Sequence, residues 1–344
     1  MTDFQQTSDD QLIELDPLVE RRNERREFFR TALGAGAVAA AGAAAIAVST
    51  GALAAATTET DYLNIALNLE YLAAQYYAFA VTGAGLPTTL LTPGSDNTTT
   101  QGAATGGGPV PFADPLVSQY AREIYAEKVA HVTYLRATLG TVAVAQPVID
   151  LSNSTTSAFT IFGRAAGIAT NSAGTVDSTA GTFNPYASDA NFLLGAFLFE
   201  DLIVSAYRGL ISLFTTKTYI DGLAGIIGAS SYHASIIRTV LFTKGATTAS
   251  LRTQADAISD TRDKLDGTVE DDQGISPVTI TTSQSSALNT LVGSNIVPTG
   301  ADGIVFGRSY ANVLNVLYLN SLSVSKGGFF PNGLNGTYAT SAAN

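Results

Sequence analysis

Two histidine-bearing segments set the strongest constraint on how this chain folds. The sequence contains two histidines, His131 and His233. Each is followed by an arginine five residues later and by a leucine three residues after that. Around His131, apolar residues recur at the spacing of one helical face, and Glu127 lies four residues earlier on that same face. Each histidine is therefore predicted to lie on a helix, and the two helices are predicted to be related copies.

A second pair of segments, both strongly apolar, alternates with the histidine segments. One carries Glu70 and Tyr77, and the other carries Glu200 and Tyr207, with the same spacing between glutamate and tyrosine. The order along the chain is a glutamate helix, a histidine helix, a second glutamate helix and a second histidine helix. This repeated helical pair predicts an all-α fold, an antiparallel four-helix bundle whose glutamates and histidines face the interior.

The composition indicates a large core and excludes several kinds of function. Of the 344 residues, 46% are apolar and 14% are charged, against about 25% charged in an average soluble protein. The net charge of −11 argues against a nucleic-acid partner. The absence of cysteine excludes disulfides, thiolate metal ligands and thiol nucleophiles.

Residues 1–56 resemble a twin-arginine export signal. Arg25 and Arg26 precede Phe28, and a weakly hydrophobic run of Ala, Gly and Val over 31–56 ends in small-residue motifs typical of a cleavage site. We expect a signal peptide over 1–56, export of the folded protein to the periplasm or beyond, and no stable membrane anchor after cleavage. The alternative is a single membrane span, for which the run is long enough.

The rest of the chain is predicted to form a bundle over 57–245 and a C-terminal extension over 246–344 with short helices. The bundle helices are expected at residues 60–81, 114–139, 188–214 and 219–242. Two long insertions interrupt them. The insertion over 83–112 is polar and rich in glycine, so we expect it to drape over the surface without packing. The insertion over 141–187 is expected to be irregular, with β-prone pieces and a short helical turn near 164–168.

Inward glutamates and histidines on four helices are the arrangement that holds metal inside a bundle. The candidate ligands are Glu70, Glu127, His131, Glu200 and His233. Carboxylate and imidazole ligands suit iron or manganese, with zinc less favoured.

The segments around Glu70, His131, Glu200 and His233 resemble those of ferritin-like domain proteins of the desiccation-related family. The closing stretches GRSYANVL and GGFFPNGLNG resemble the C-terminal part of that family. The similarity covers roughly residues 60–340. It implies a ferritin-like bundle and a role in stress or desiccation protection.

Two positions depart from the pattern of ferritin-like di-metal sites, which carry Glu-x-x-His on the second and fourth helices. Lys128 stands three residues before His131, and Ser230 stands three residues before His233. Glu127 could replace the first missing carboxylate, but the sequence offers no replacement for the second.

Two hypotheses follow from this departure. In the first, a reduced metal site binds an ion in the bundle. In the second, the bundle binds no metal because the Lys128 ammonium neutralises Glu70 and Glu200, and the protein acts as a structural or interaction protein through its loops and C-terminal tail. The mostly uncharged, Thr-rich surface would also suit self-association. An oxidase or catalase-like activity is disfavoured, because oxygen chemistry generally needs two metals at a fixed spacing.

Overall fold

The computed structural model describes residues 53–280 and 291–344. Residues 1–52 of the predicted signal lie outside this part of the chain. Residues 54–344 form one compact unit.

Within the described residues the chain forms seven α-helices, in keeping with the predicted all-α class. They are α1 (Leu53–Thr82), α2 (Pro115–Leu139), α3 (Ala158–Ala165), α4 (Asp189–Ile211), α5 (Lys217–Lys244), α6 (Ser250–Asp266) and α7 (Tyr310–Tyr318). The strands are short. β1 (Ala104–Thr105) pairs in parallel with β2 (Ile149–Asp150), and β3 (Val278–Ile280) pairs antiparallel with β4 (Leu291–Gly293).

Helices α1, α2, α4 and α5 form the predicted antiparallel bundle, as their cross-helix contacts show. Near the start of α1, Glu59 accepts hydrogen bonds from Thr215 at 2.6 and 2.7 Å, just after α4 ends. Near the end of α1, the Tyr76 hydroxyl donates to the carbonyl of Phe192, close to the start of α4. In the same way, Lys244 at the end of α5 donates a hydrogen bond to Asp114 at the start of α2.

The ends of α2 and the start of α4 follow directly from their capping residues. Asp114 accepts a hydrogen bond from the Leu116 N–H at 2.9 Å, and Pro115 occupies the first helical position. Gly140 ends α2 with a positive φ of 56°, a conformation that favours glycine. Ser188 caps α4 by accepting from Asn191. These boundaries agree with the prediction.

Helix α4 is the central helix of the bundle. Among the described residues, α4 is the helix that is long and apolar enough to span a membrane. Its most apolar 18 residues are, however, 89% buried inside the protein. That burial is what a core helix of a bundle shows, because a helix that is apolar all round must be covered on every side.

The insertion over 83–112 packs against the protein, in contrast to the prediction. Backbone hydrogen bonds join Gly94 to Ala143 and Gly102 to Gln146. The two backbones approach so closely at Gly102 that a Cβ there would lie 2.2 Å from the Val148 nitrogen. The glycines that seemed to forbid packing therefore permit it, because only a residue without a side chain allows such an approach.

The insertion over 141–187 contains a helix at an unpredicted place. Residues 157–162 were predicted to be β-prone, but most of them belong to α3, which overlaps the predicted helical turn near 164–168 only at its end. Phe159 and Phe162 are fully buried and lie three residues apart, on one helical face. Tertiary packing of this face overrides the local β-propensity.

The C-terminal tail is folded onto the bundle and the insertions. Phe329 is fully buried, and its ring lies 5.0 Å from the rings of Phe159 and Phe199. Asn335 accepts a hydrogen bond from Asn68 on α1 at 2.8 Å. The Asn335 side-chain amide donates to the carbonyls of Thr100 and Ala145, one in each insertion. The segment around Asn335 thus links α1 to both insertions.

Candidate functional site

The bundle brings the predicted glutamates and histidines to one place. Glu70 lies on α1, His131 on α2, Glu200 on α4 and His233 on α5. Glu70 and Glu200 are fully buried, as is Lys128, which lies between them. Matched positions in the sequence repeat therefore correspond to facing positions in the bundle.

The ammonium of Lys128 lies at the centre of this site. Its Nζ is 3.1 Å from Oε2 of Glu200 and 3.9 Å from Oε2 of Glu70. The two carboxylates come from different helices, and the lysine comes from a third. Lys128 therefore occupies the position that the metal-free hypothesis requires.

The two histidines each contact one of the buried glutamates and stack against each other. Nδ1 of His131 lies 3.4 Å from Oε2 of Glu70, and Nδ1 of His233 lies 3.7 Å from Oε2 of Glu200. The imidazole rings are stacked, with centroids 6.1 Å apart and planes inclined by 29°. Each half of the repeat thus contributes one glutamate–histidine pair.

Glu127 lies at the rim of the site. Its Oε2 is 2.5 Å from Nε2 of His233, and its side chain is 47% exposed. It therefore contacts the outer nitrogen of the ring, while the inner Nδ1 faces Glu200. Glu127 is thus a half-exposed partner of His233, whereas Glu70 and Glu200 are fully buried.

Two tyrosines at matched positions of the repeat face the carboxylates. The Tyr207 hydroxyl donates a hydrogen bond to Oε1 of Glu70 at 2.9 Å. The Tyr77 hydroxyl is buried near Glu200 but makes no hydrogen bond of normal geometry. For both tyrosines, burial is the main cause that raises the pKa well above its usual value, and the nearby carboxylate adds to it. Both phenols are therefore protonated.

The electrostatics of the site favour charged carboxylates around a charged lysine. Burial alone would raise the pKa of Glu70, but the Lys128 ammonium and the interaction with the adjacent His131 outweigh it and lower that pKa to about 2. The pKa of Glu200 is also lowered, because Lys128 and His233 outweigh its burial. Burial would lower the pKa of Lys128, yet the two glutamates raise it.

His233 is shifted towards its protonated form. Burial alone would lower its pKa, but the hydrogen bonds to Glu127 and Glu200 raise it. The hydrogen bond to His233 is in turn the main reason why the pKa of Glu127 is lowered. Positive charge on Lys128 and His233 can thus balance the buried glutamates without an ion.

The donor atoms do not fit a two-metal centre. Lys128 and the buried Ser230 occupy the positions where such sites carry carboxylates. Among the residues that the structure describes, three carboxylate or imidazole donors lie within 4.8 Å of one another only in the C-terminal extension. Several inward atoms nevertheless lack a hydrogen-bond partner, namely Oε2 of Glu70, both carboxylate oxygens of Glu200 and Nδ1 of each histidine.

An ion network that the sequence patterns do not predict lies next to Glu200 on α4. Asp201, next to Glu200, accepts hydrogen bonds from Arg238 at 2.7 Å and from Arg262 at 3.2 Å. Arg238 also donates to the backbone carbonyls of Gln273 and Gly274. Arg238 thus pairs with an acid and with backbone carbonyls. Its counterpart in the repeat, Arg136, donates instead to the hydroxyl of Tyr71.

A four-helix bundle with paired glutamates and histidines at its centre defines the ferritin-like class of proteins. The chain belongs to the ferritin-like domain family, which matches residues 58–243. The resemblance inferred from the sequence motifs is thereby confirmed.

The chain is similar to two other proteins along most of its length. The chain is 27% identical over 303 residues to the ferritin-like catalase Nec2 of Nesocodon mauritianus, covering 82% of this chain and 85% of that protein. It is 22% identical over 291 residues to the desiccation-related protein PCC13-62 of Craterostigma plantagineum, covering 80% and 82%. No solved structure gives a significant match.

Proposed function

We propose that this chain is an exported ferritin-like protein of stress or desiccation protection whose bundle is neutralised by Lys128 in place of a di-metal centre. The observation that carries the proposal is the position of the Lys128 ammonium, 3.1 Å from Glu200 and 3.9 Å from Glu70. The desiccation role is supported by the name of the C. plantagineum relative. Export is supported by the twin-arginine motif of the sequence.

The physical reason for this assignment is the cost of buried charge. An unpaired carboxylate inside a protein is strongly destabilising, so Glu70 and Glu200 need a cation nearby. In ferritin-like metal proteins metal ions supply that charge. Here a side chain supplies it, and the bundle becomes a scaffold that needs no ion to fold.

A second candidate function is supported by the unpartnered donor atoms. Glu70, Glu200 and the two Nδ1 atoms could hold a single iron or manganese ion if the Lys128 side chain moved aside. Such an ion would supply redox chemistry, and one relative is named a catalase. This candidate requires a displacement of Lys128, which the first does not.

Elemental analysis of the purified protein separates the two candidates. We expect the wild type to carry no stoichiometric iron, manganese or zinc, and Lys128→Glu, which restores a carboxylate, to take up metal. Lys217→Glu is the matched control, because it makes the same charge change at an exposed position of α5. One ion per wild-type chain, lost in His131→Ala, would overturn the first proposal in favour of the second.

The protective role is tested on a drying-sensitive enzyme. Lactate dehydrogenase is dried and rehydrated with the wild-type protein, with Lys128→Glu or with serum albumin. We expect the wild type to preserve more activity than albumin at equal mass. Equal recovery with albumin would contradict a protective role while leaving the assignment of Lys128 intact.

A further inference from the structure

A cavity of about 460 Å³ lies between the insertion over 141–187 and helix α6. Residues 168–187 of the insertion form most of its wall, α4 contributes Asn191 and Leu194, and α6 contributes Gln254. The volume falls within the range of about 300–1,000 Å³ that is usual for small-molecule sites. None of the glutamates and histidines at the bundle centre lines this cavity. It is therefore a separate candidate site.

The lining of the cavity is polar but uncharged. No Asp, Glu, Lys, Arg or His is among the residues that line it. Amides and hydroxyls line it instead, among them Thr170, Asn171, Thr182, Asn184, Asn191 and Gln254. Such groups both donate and accept hydrogen bonds. A charged ligand would find no counter-ion here, whereas a ligand with several hydroxyls would find both donors and acceptors.

Several of these polar groups have hydrogen-bonding capacity to spare. Within the described residues, the Gln254 side chain and the hydroxyls of Thr170 and Thr182 make no hydrogen bond. Asn184 uses its side-chain oxygen to accept from the Tyr186 N–H at 3.0 Å, while its amide nitrogen has no partner among those residues. These groups can therefore bind a ligand without the loss of an existing contact.

The cavity also has an apolar part. Ile168, Phe183 and Leu194 line it and are 3%, 4% and 2% exposed, so their side chains form its buried floor. An apolar floor beneath uncharged polar walls is complementary to a sugar ring, because such a ring presents C–H groups on its faces and hydroxyls around its edge.

The wall of the cavity is held in place before any ligand binds. Thr170 and Thr182 pair through two backbone hydrogen bonds of 3.0 and 2.9 Å. The Asn191 amide on α4 donates to the carbonyl of Asn184 at 2.8 Å, which fixes the end of the insertion to the helix. A preformed wall lowers the entropic cost of ordering the site on binding.

We infer that this cavity binds a neutral sugar of one or two rings. An ionic ligand would lose hydration without gaining a counter-ion, and a wholly apolar ligand would leave the amides and hydroxyls of the wall without partners. A sugar avoids both costs, since its hydroxyls pair with the wall and its C–H faces cover the floor. The inference does not depend on the role of Lys128 in the bundle.

The test is a saturation-transfer NMR titration of the full chain with glucose, galactose, sucrose and maltose. We expect the wild type to bind at least one of these sugars saturably. Its affinity should be weakened about three- to tenfold in Gln254→Ala and in Thr182→Val, since each variant removes a hydrogen-bonding group of the wall. Neither group makes a hydrogen bond within the described residues, so the fold does not depend on them.

Three control variants locate the binding. Gln119→Ala and Thr179→Val make the same changes at exposed positions that do not line the cavity, and His131→Ala alters the bundle centre. All three should bind the sugar like the wild type. No saturable binding by the wild type at high millimolar sugar, or unchanged affinity in both cavity variants, would overturn the inference. Loss of binding in His131→Ala alone would also overturn it, because the sugar would then bind at the bundle.

Discussion

The Nζ atom of Lys128 and the Oε2 atom of Glu200 lie 3.1 Å apart, and both side chains are fully buried. Lysine is rarely found in such a place unless an acid accompanies it. The pair joins α2 to α4, and Glu70 extends it to α1 at 3.9 Å. The stability of the bundle therefore depends on this one ammonium.

Lys128→Met should destabilise the protein by about 3–5 kcal/mol at pH 7, because it leaves two buried carboxylates without their cation. The free energy of unfolding is measured by urea titration monitored by circular dichroism. Lys217→Met, at an exposed position, should change it by less than about 0.5 kcal/mol. Equal stability of Lys128→Met and the wild type would mean that another cation neutralises the glutamates.

The stability should fall in acid because of Glu70. Its pKa is about 2 in the folded protein and 4.5 without the fold, so the folded state favours the ionised form. The resulting contribution is fully present above pH 4.5 and is lost as the pH falls towards 2. It amounts to about 3 kcal/mol. Urea titrations between pH 6 and pH 2 should show a shallower decline for Glu70→Gln than for the wild type, whereas Asp221→Asn should follow the wild type.

Tyr207→Phe and Tyr77→Phe form a matched pair at equivalent positions of the repeat. The first change removes a hydrogen bond to a buried carboxylate and should cost about 1–3 kcal/mol. The second removes a hydroxyl without a hydrogen bond of normal geometry and should cost less. Chemical denaturation of both variants measures the difference. Equal losses would show that the hydrogen bond from Tyr207 to Glu70 contributes no more than the burial of the phenol.

Phe329→Ala should cost about 3–5 kcal/mol, because the ring fills space between two other buried rings. Thermal and urea unfolding measure the loss, with Leu322→Ala as the control at an exposed position of the same segment. A nearly neutral Phe329→Ala would indicate that the tail is held by its hydrogen bonds alone and that its rings are available to a partner.

Replacement of Arg25 and Arg26 by lysine should block export of the full chain in a bacterium with a twin-arginine system. The expected result is precursor retained in the cytoplasm, measured by cell fractionation and immunoblotting. Arg30→Lys, which leaves the paired arginines intact, is the control. Unchanged export of the double variant would contradict the proposed route without affecting the assignment of the bundle.

The repeat made the bundle predictable, but local patterns could not reveal every contact. Glu70, His131, Glu200 and His233 were found because a duplicated spacing places them on facing helices. The position of Lys128 followed from its place before His131. Arg308 and Asp266 could not be paired in the same way, because they lie 42 residues apart and no periodic signal connects them. Helix α3 was missed since its formation depends on rings that arrive from distant parts of the chain.

The hydrogen bonds of Asn335 constrain the order in which parts of the protein can fold. They reach back 267 residues to Asn68 and 190 residues to Ala145. Asn335 leaves the ribosome long after Asn68 and Ala145, so these contacts can form only after both insertions have been synthesised. Proteolysis between Phe330 and Asn335 would therefore loosen α1 and both insertions, although the cut lies far from them in the sequence.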